Sequence, residues 1–231
     1  MRIWDFFQET FIQSGSGLSI LQGLLTTVRI SAFSLISGTL LAVPLCALRM
    51  SGRRVFAAAA RGYIALARGT PVLMLLMLLY YVVFASSRMD AANIAIIAFS
   101  LNTAAVAAEI MRAALHAIPS GQIDAARALG MGSLERFRSV ILPQASQSAL
   151  PVYQSAVVNL IQWTSVVGYI SITDLTRAIN FISSRTMEPL LMLFVGIALY
   201  LLMAHITYGA FALLGRHKFG FSYRYDRRQK A

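Results

Sequence analysis

Charge is scarce in this sequence, and lysine is nearly absent from it. Only 13% of the 231 residues are charged, about half the share expected of a soluble domain. Lysine occurs at Lys218 and Lys230 alone, and neither stands in the glycine-rich setting that cradles nucleotide phosphates. A P-loop ATPase is therefore excluded. Cysteine occurs once, as Cys46 inside an apolar run, so no intrachain disulfide can form. The histidines His116, His205 and His217 lack metal-ligand spacing, and no nucleophile–base pair can be assembled around them. Neither a metal site nor catalysis by this chain is expected. A proton relay needs carboxylates or histidines along a membrane path, and only Glu109 and His205 come near one. Glu109 is three residues before Arg112, the spacing of an i,i+3 ion pair. The N-terminal "MRIWDFFQET" has two acids and no compact basic stretch, so no cleaved signal peptide is expected.

What the chain does hold is apolar length. Hydrophobic residues make up 58% of it, and its mean hydropathy is +0.67. Several uncharged runs reach the roughly 20 residues that cross a bilayer as helix, and the gaps between charges give five spans, at about 18–48, 69–85, 91–115, 149–173 and 189–214. The prediction is a single-domain, all-α membrane protein with five transmembrane helices. The net charge of +11 lies in alternate loops: Arg49, Arg53, Arg54 and Arg61; then Arg127, Arg136 and Arg138; then the tail from Arg216 and Lys218 to Arg224, Arg227, Arg228 and Lys230. That alternation follows the positive-inside bias and puts those segments in the cytoplasm, with the N-terminus opposite. No aromatic-interleaved basic motif accompanies them, so nucleic acid is not an expected partner. Ser34, Gly38 and Ala42 in the first span, and Ala104 and Ala108 in the third, have the spacing of close helix packing.

The loop at 116–148 breaks the apolar pattern. Within "DAARALGMGSLERFRSVILPQA", Asp124, Ala125 and Ala126 read as a short helix carried on to Leu129 and ended by Gly130, which tolerates a left-handed backbone. Ser133 is placed to cap a second short helix, in which Glu135 and Arg138 are spaced to pair. Pro143 is expected to break it before the fourth span. Two short helices at a corner make a docking shape.

Asp-Ala-Ala at 124–126, Gly130, and Ile141-Leu142-Pro143 together resemble the EAA loop of ABC importer permeases. "RGTP" at 68–71, "SLNTAAVAAEIMRAALHAIPSGQ" at 100–122, "ILPQA" at 141–145 and "LP" at 150–151 are similar to the polar amino-acid permeases, the histidine, glutamine and arginine/opine importers. The likeness covers the chain from Leu21 to Leu214. It implies a type I ABC importer fold in a bacterial inner membrane and transport by alternating access. The partners it implies are a second permease subunit, identical or a paralogue, two cytosolic ATPase subunits, an extracytoplasmic solute-binding protein, and membrane lipid. ATP and magnesium would be bound by the ATPases, with no cofactor in this chain. The 124–130 helix would couple to them through Asp124, Ala125, Ala126, Leu129 and Gly130. Asp124 stands where the family usually has glutamate. In "IQWTSVV", Gln162 and Trp163 stand where many members have Lys-Asp, so a carboxylate contact to a cationic substrate is missing there.

The polar lining expected for a polar amino acid or opine is Asn102 from the third span with Asn159, Gln162 and Thr164 from the fourth. An interhelical hydrogen bond, worth about 1 kcal/mol, is the alternative role for each. Trp163 either anchors the helix at the membrane interface or turns its ring to the pathway. A gradient-driven secondary transporter and a non-transporting membrane scaffold are the rival functions. The first needs ion-coupling residues mid-membrane, and the second leaves the polar residues of spans three and four unexplained.

Overall fold

The computed structural model describes residues 15–219, which are helical with no strand among them. The expectations for the extreme N-terminus and for Arg224, Arg227, Arg228 and Lys230 fall outside the described residues. The elements are α1 (Ser16–Arg49), α2 (Arg54–Gly69), α3 (Val72–Leu78, running on as a π turn to Val83), α4 (Ala91–His116), α5 (Ser120–Ala128), α6 (Ser133–Arg136, running on as a π turn to Ile141), α7 (Leu142–Trp163, then a 3-10 stretch to Ile170), α8 (Leu175–Thr186) and α9 (Pro189–Phe219). Three of them, α1, α4 and α9, are long and apolar enough to cross a membrane. Two bent pairs, α2 with α3 and α6–α7 with α8, raise the number to five if each pair is one span.

Side-chain size decides how α1 meets the core. Its buried residues include Gly23, Thr27, Ser31, Ser34, Gly38, Ala42 and Cys46, three or four apart and therefore on one face. Lipid offers no hydrophobic drive between helices, so close backbone approach and short polar contacts must join them. At Gly38 a Cβ would stand 2.7 Å from Thr103 Cβ and 2.9 Å from the Ser100 carbonyl, so only glycine fits. Ser34 donates to the Ile96 carbonyl at 3.3 Å, and Ser37 and Ser100 share a hydrogen bond of 2.6 Å. The expected small-residue packing of α1 on α4 is thus formed. The helix matches the expected first span of about 18–48 to within two residues at each end, and its 34 residues reach about 51 Å. Its N-terminal part packs on α8, where the Leu175 amide donates to Thr27 Oγ1 at 3.2 Å.

The second run is not a straight crossing. Thr70 is extended, as a residue before proline must be, and Pro71 starts α3 without an amide to continue α2. The axis turns by 103° there. Only Val72–Val83, about 18 Å of helix, follows, and α2 lies alongside the bundle. The Tyr63 hydroxyl fastens α2 to α4 by donating to the Leu101 carbonyl at 2.8 Å.

Around the fourth span three local expectations are corrected. Pro143 does not break the helix. The preceding π turn widens the ladder, with the Leu142 amide donating to the Phe137 carbonyl five residues back, so the helix runs continuously into α7. Ser133 is the first helical residue rather than the cap, a position held by Gly132. Nor do Glu135 and Arg138 pair, since the ion pairs among the described residues are Arg112–Glu109 and Arg127–Asp124. Arg136 instead donates to the Met131 carbonyl and Ser133 Oγ.

Candidate functional site

The bend at Thr70–Pro71 places Arg68 at the edge of an open cleft between α2, α4 and α7. The last turn of α2 is held there from across the cleft. Asn102 on α4 donates from Nδ2 to the Ala67 carbonyl at 2.9 Å, filling an acceptor that the helix end leaves open. Asn102 is 5% exposed, and its Oδ1 has no hydrogen-bond partner among the described residues. Burying a carbonyl oxygen without a partner costs about 1–3 kcal/mol, which the bond from Nδ2 to Ala67 offsets in part. The cavity here, about 260 Å³, is lined by Arg68, Thr70, Pro71, Val72, Asn102, Val106 and Trp163.

A second cavity of about 510 Å³ adjoins it and shares Arg68 and Val106. Asn159, Ser155 and Ser148 of α7 line it, with Glu109 of α4. Glu109 accepts from Arg112 Nε at 2.9 Å, so the expected i,i+3 pair forms and Arg112 neutralises it. Arg68 is exposed and takes part in no ion pair among the described residues. The combined cleft therefore carries net positive charge at one point, with amide and hydroxyl groups around it.

Of the five residues expected to line the pathway, the structure brings three to this cleft. Asn102 and Trp163 line the smaller cavity and Asn159 the larger. Gln162 is exposed and lines neither. Thr164 is fully buried and donates to the Ile161 carbonyl at 2.7 Å, holding the switch from α-helix to 3-10. A helix turns 100° per residue, so consecutive positions cannot all share a face. Sequence reading overlooked Arg68 as a lining residue, although it stands alone between Arg61 and Arg88 at the mouth of an apolar run and heads the quoted "RGTP".

The expected coupling residues lie at the corner between α4 and α7. The expected Asp124–Gly130 helix is there as α5, closed by Gly130 at φ 77°. The Met131 amide donates to the Ala126 carbonyl at 3.1 Å and the Gly130 amide to the Arg127 carbonyl at 2.9 Å, the paired bonds of a Schellman end. Asp124 pairs with Arg127 at 3.1 Å on the exposed side. Ala125 is exposed, and Leu129 stands 81% exposed. Ala126 alone of the expected coupling residues is turned into the chain, 4% exposed. Asp124, Ala125 and Leu129 form the outward surface, and Gln144 of α7 donates to Gln122 of α5 at 3.4 Å.

Known proteins resemble this chain over most of its length. The family described as binding-protein-dependent transport system inner membrane component matches residues 34–219. The octopine transport system permease protein OccM of Rhizobium meliloti is 36% identical over 219 residues, covering 90% of this chain and 87% of that protein. The nopaline transport system permease protein NocM of Agrobacterium fabrum is 34% identical over 199 residues, 81% and 83% of the two chains. Among solved structures, an amino acid ABC transporter crystallised with histidines superposes with a TM-score of 0.79 at 28% identity, over 89% of this chain and 96% of that one. A methionine ABC transporter in an inward-facing form matches in fold, with a TM-score of 0.70 at 18% identity, over 87% and 96% of the two chains.

Proposed function

This chain belongs to the family of binding-protein-dependent transport system inner membrane components, and from that premise we propose that it is the permease subunit of an ABC importer for polar amino acids or opines. The gradient-driven and scaffold readings give way to that membership. We place α5 and the basic loops on the cytoplasmic side, in line with the positive-inside bias. The ATP-hydrolysing chemistry belongs to separate cytosolic subunits seated on Asp124, Ala125 and Leu129, and a second permease subunit closes the pathway from the other side. A solute-binding protein delivers the solute at the opposite face. Because α6 and α7 are one uninterrupted helical rod, motion imposed on α5 is carried along α7 to Asn159 and Trp163. The cleft then opens alternately to the two sides.

The observation that carries the substrate class is exposed Arg68, in no ion pair among the described residues, sharing a cavity with Asn102 and Trp163. A guanidinium takes a carboxylate with two parallel hydrogen bonds, and the face of an indole ring attracts an ammonium. Those are the groups that amino acids and opines have in common. Uptake of labelled octopine, arginine and glutamine by cells expressing the complete transporter tests this. Arg68→Gln should lower uptake of every transported solute by roughly tenfold or more, the equivalent of about 1.5–3 kcal/mol for a charge-assisted bond. Arg68→Lys should restore part of it. Wild-type uptake in Arg68→Gln, at equal membrane levels, would remove the carboxylate assignment.

A further inference from the structure

The α-helix of α7 stops immediately after Trp163, and Thr164–Ile170 continues it as seven residues of 3-10 helix. Runs longer than roughly three or four residues are uncommon, because the winding is tight and its hydrogen bonds are poorly aligned. Contacts from outside the stretch hold it in that form. On its inner side Val167 and Ile170 are packed into the core with Leu76, Leu79 and Ile94. At its outer end two side chains from other elements reach consecutive carbonyls, the acceptors that a helix end leaves open. Arg177 of α8 donates from Nη1 to the Gly168 carbonyl at 3.1 Å. Tyr81, in the π turn of α3, donates its hydroxyl to the Tyr169 carbonyl at 3.0 Å. Ser171, at φ 64°, then turns the chain away. Arg177 is half-buried, its guanidinium carbon lies 5.3 Å from the Phe181 ring centroid, and it takes part in no ion pair among the described residues. Its charge is thus directed onto a backbone carbonyl, which makes that hydrogen bond one of the stronger class.

The winding of this stretch sets the direction of the residue before it. A 3-10 helix turns about 120° per residue and an α-helix about 100°. If Thr164, Ser165 and Val166 reverted to α-helix, Trp163 would rotate by about 60° relative to the anchored Val167. We propose that Arg177 is a positioning residue for the solute pathway. Its hold on the Gly168 carbonyl keeps Thr164–Ile170 wound as 3-10 helix and so fixes the angle at which Trp163 meets the cavity it shares with Arg68 and Asn102. Tyr81 assists from α3, whose other end supplies Val72 to the same cavity. The consequence for uptake rests on Trp163 lining the pathway, whereas the positioning does not.

The test uses the complete transporter, purified with its copurifying subunits and carrying Trp163→Cys. The rate at which a small methanethiosulfonate reagent modifies position 163 is followed on the peptide that contains it, with buried native Cys46 as the internal control. Arg177→Gln should raise the rate at 163 roughly tenfold, as expected when a charge-assisted hydrogen bond no longer opposes unwinding. Arg177→Met, which keeps the stem beside Phe181 and loses the donors, should do the same and carries the test if Arg177→Gln fails to assemble. Arg177→Lys, which keeps a charged donor, should recover part of the parent rate. An unchanged rate at 163 would overturn the proposal. So would an equal rise at Cys46, which would mean general loosening of the fold. With Trp163 intact, Arg177→Gln should lower the arginine-to-glutamine uptake ratio as Trp163→Leu does, and added to Trp163→Leu it should change the ratio no further. A raised rate with an unchanged ratio upholds the positioning and counts instead against Trp163 in the pathway, so the two readings fail separately.

Discussion

Trp163 shows how much one side chain can say about selectivity. Its ring lines the same cavity as Arg68 and Asn102, offering a π face and one N–H donor but no carboxylate. A cationic substrate tail would meet the ring face, an attraction of about 0.5–2 kcal/mol. Trp163→Leu should therefore lower arginine uptake more than glutamine uptake, by roughly fivefold at mid-range. Trp163→Asp should shift the ratio back toward arginine. Uptake of the two solutes by the three proteins, normalised to membrane level, measures this. An unchanged ratio in both variants would take Trp163 out of the pathway and leave it an interfacial anchor. Gln162 serves as the internal control: it is exposed and lines neither cavity, so Gln162→Ala should leave the ratio alone.

Among the elements, α5 and α1 carry opposite demands on small residues. In α5 the small and outward residues make the docking surface proposed for the ATPase, so on that proposal bulk or charge there should harm coupling without harming the fold. Leu129→Glu, at an 81% exposed position, should leave the permease in the membrane yet abolish transport-linked ATP hydrolysis. Normal stimulated hydrolysis would take α5 out of the coupling role. Ala126 is a poor probe of docking because it is buried within its own chain, and a bulky residue there would test packing instead. In α1 the small residues serve the interior. Gly38→Val would drive two methyl groups into Thr103 and the Ser100 carbonyl, already within 2.9 Å of a bare Cβ. Overpacking of that kind costs about 1–3 kcal/mol, which should appear as a lower melting temperature of the detergent-solubilised protein. An unaltered melting temperature would mean that α1 can move away from α4 at no cost.

At the scale of the whole molecule, the two ends of the bundle differ in chemistry. One end presents α5 with Arg127 and the adjoining Arg136 and Arg138. The other presents α8, whose first turn is capped by buried Asp174, accepting from the Thr176 and Arg177 amides at 3.1 and 3.0 Å. That end is also tied to α1 and α9, through Thr27 and through a 2.8 Å hydrogen bond between Thr176 and Tyr200, so it forms a fixed platform opposite the docking corner. If α5 faces the cytosol, a cysteine replacing Ser87 will react with an impermeant thiol reagent added outside cells, and one replacing Gly132 will not. Both positions are exposed, and native Cys46 is buried. Labelling in the reverse pattern would invert the orientation and remove the ATPase from α5.

Much of this molecule was settled by composition and spacing alone. Apolar runs of bilayer length required membrane helices, because backbone groups in lipid must be satisfied within the segment. The small residues of α1, repeating every three or four positions, identified its packing face by helical period. Asp-Ala-Ala followed by Gly130 located a short helix and its end, because glycine alone takes φ near +77° without strain. Tertiary structure decided which polar groups meet. Pro71 forecast a break, but the 103° turn that carries Arg68 to Asn102 depends on α2 docking against α4. Pro143 forecast a second break and produced none, because a π turn just before it absorbed the missing amide. Asn102, Trp163 and Thr164 read alike as polar or amphipathic residues near a pathway, yet Thr164 bonds its own helix and the other two face the cleft. A residue's type sets which bonds it can make, while the direction in which it points is decided by helix phase and by neighbours distant in sequence.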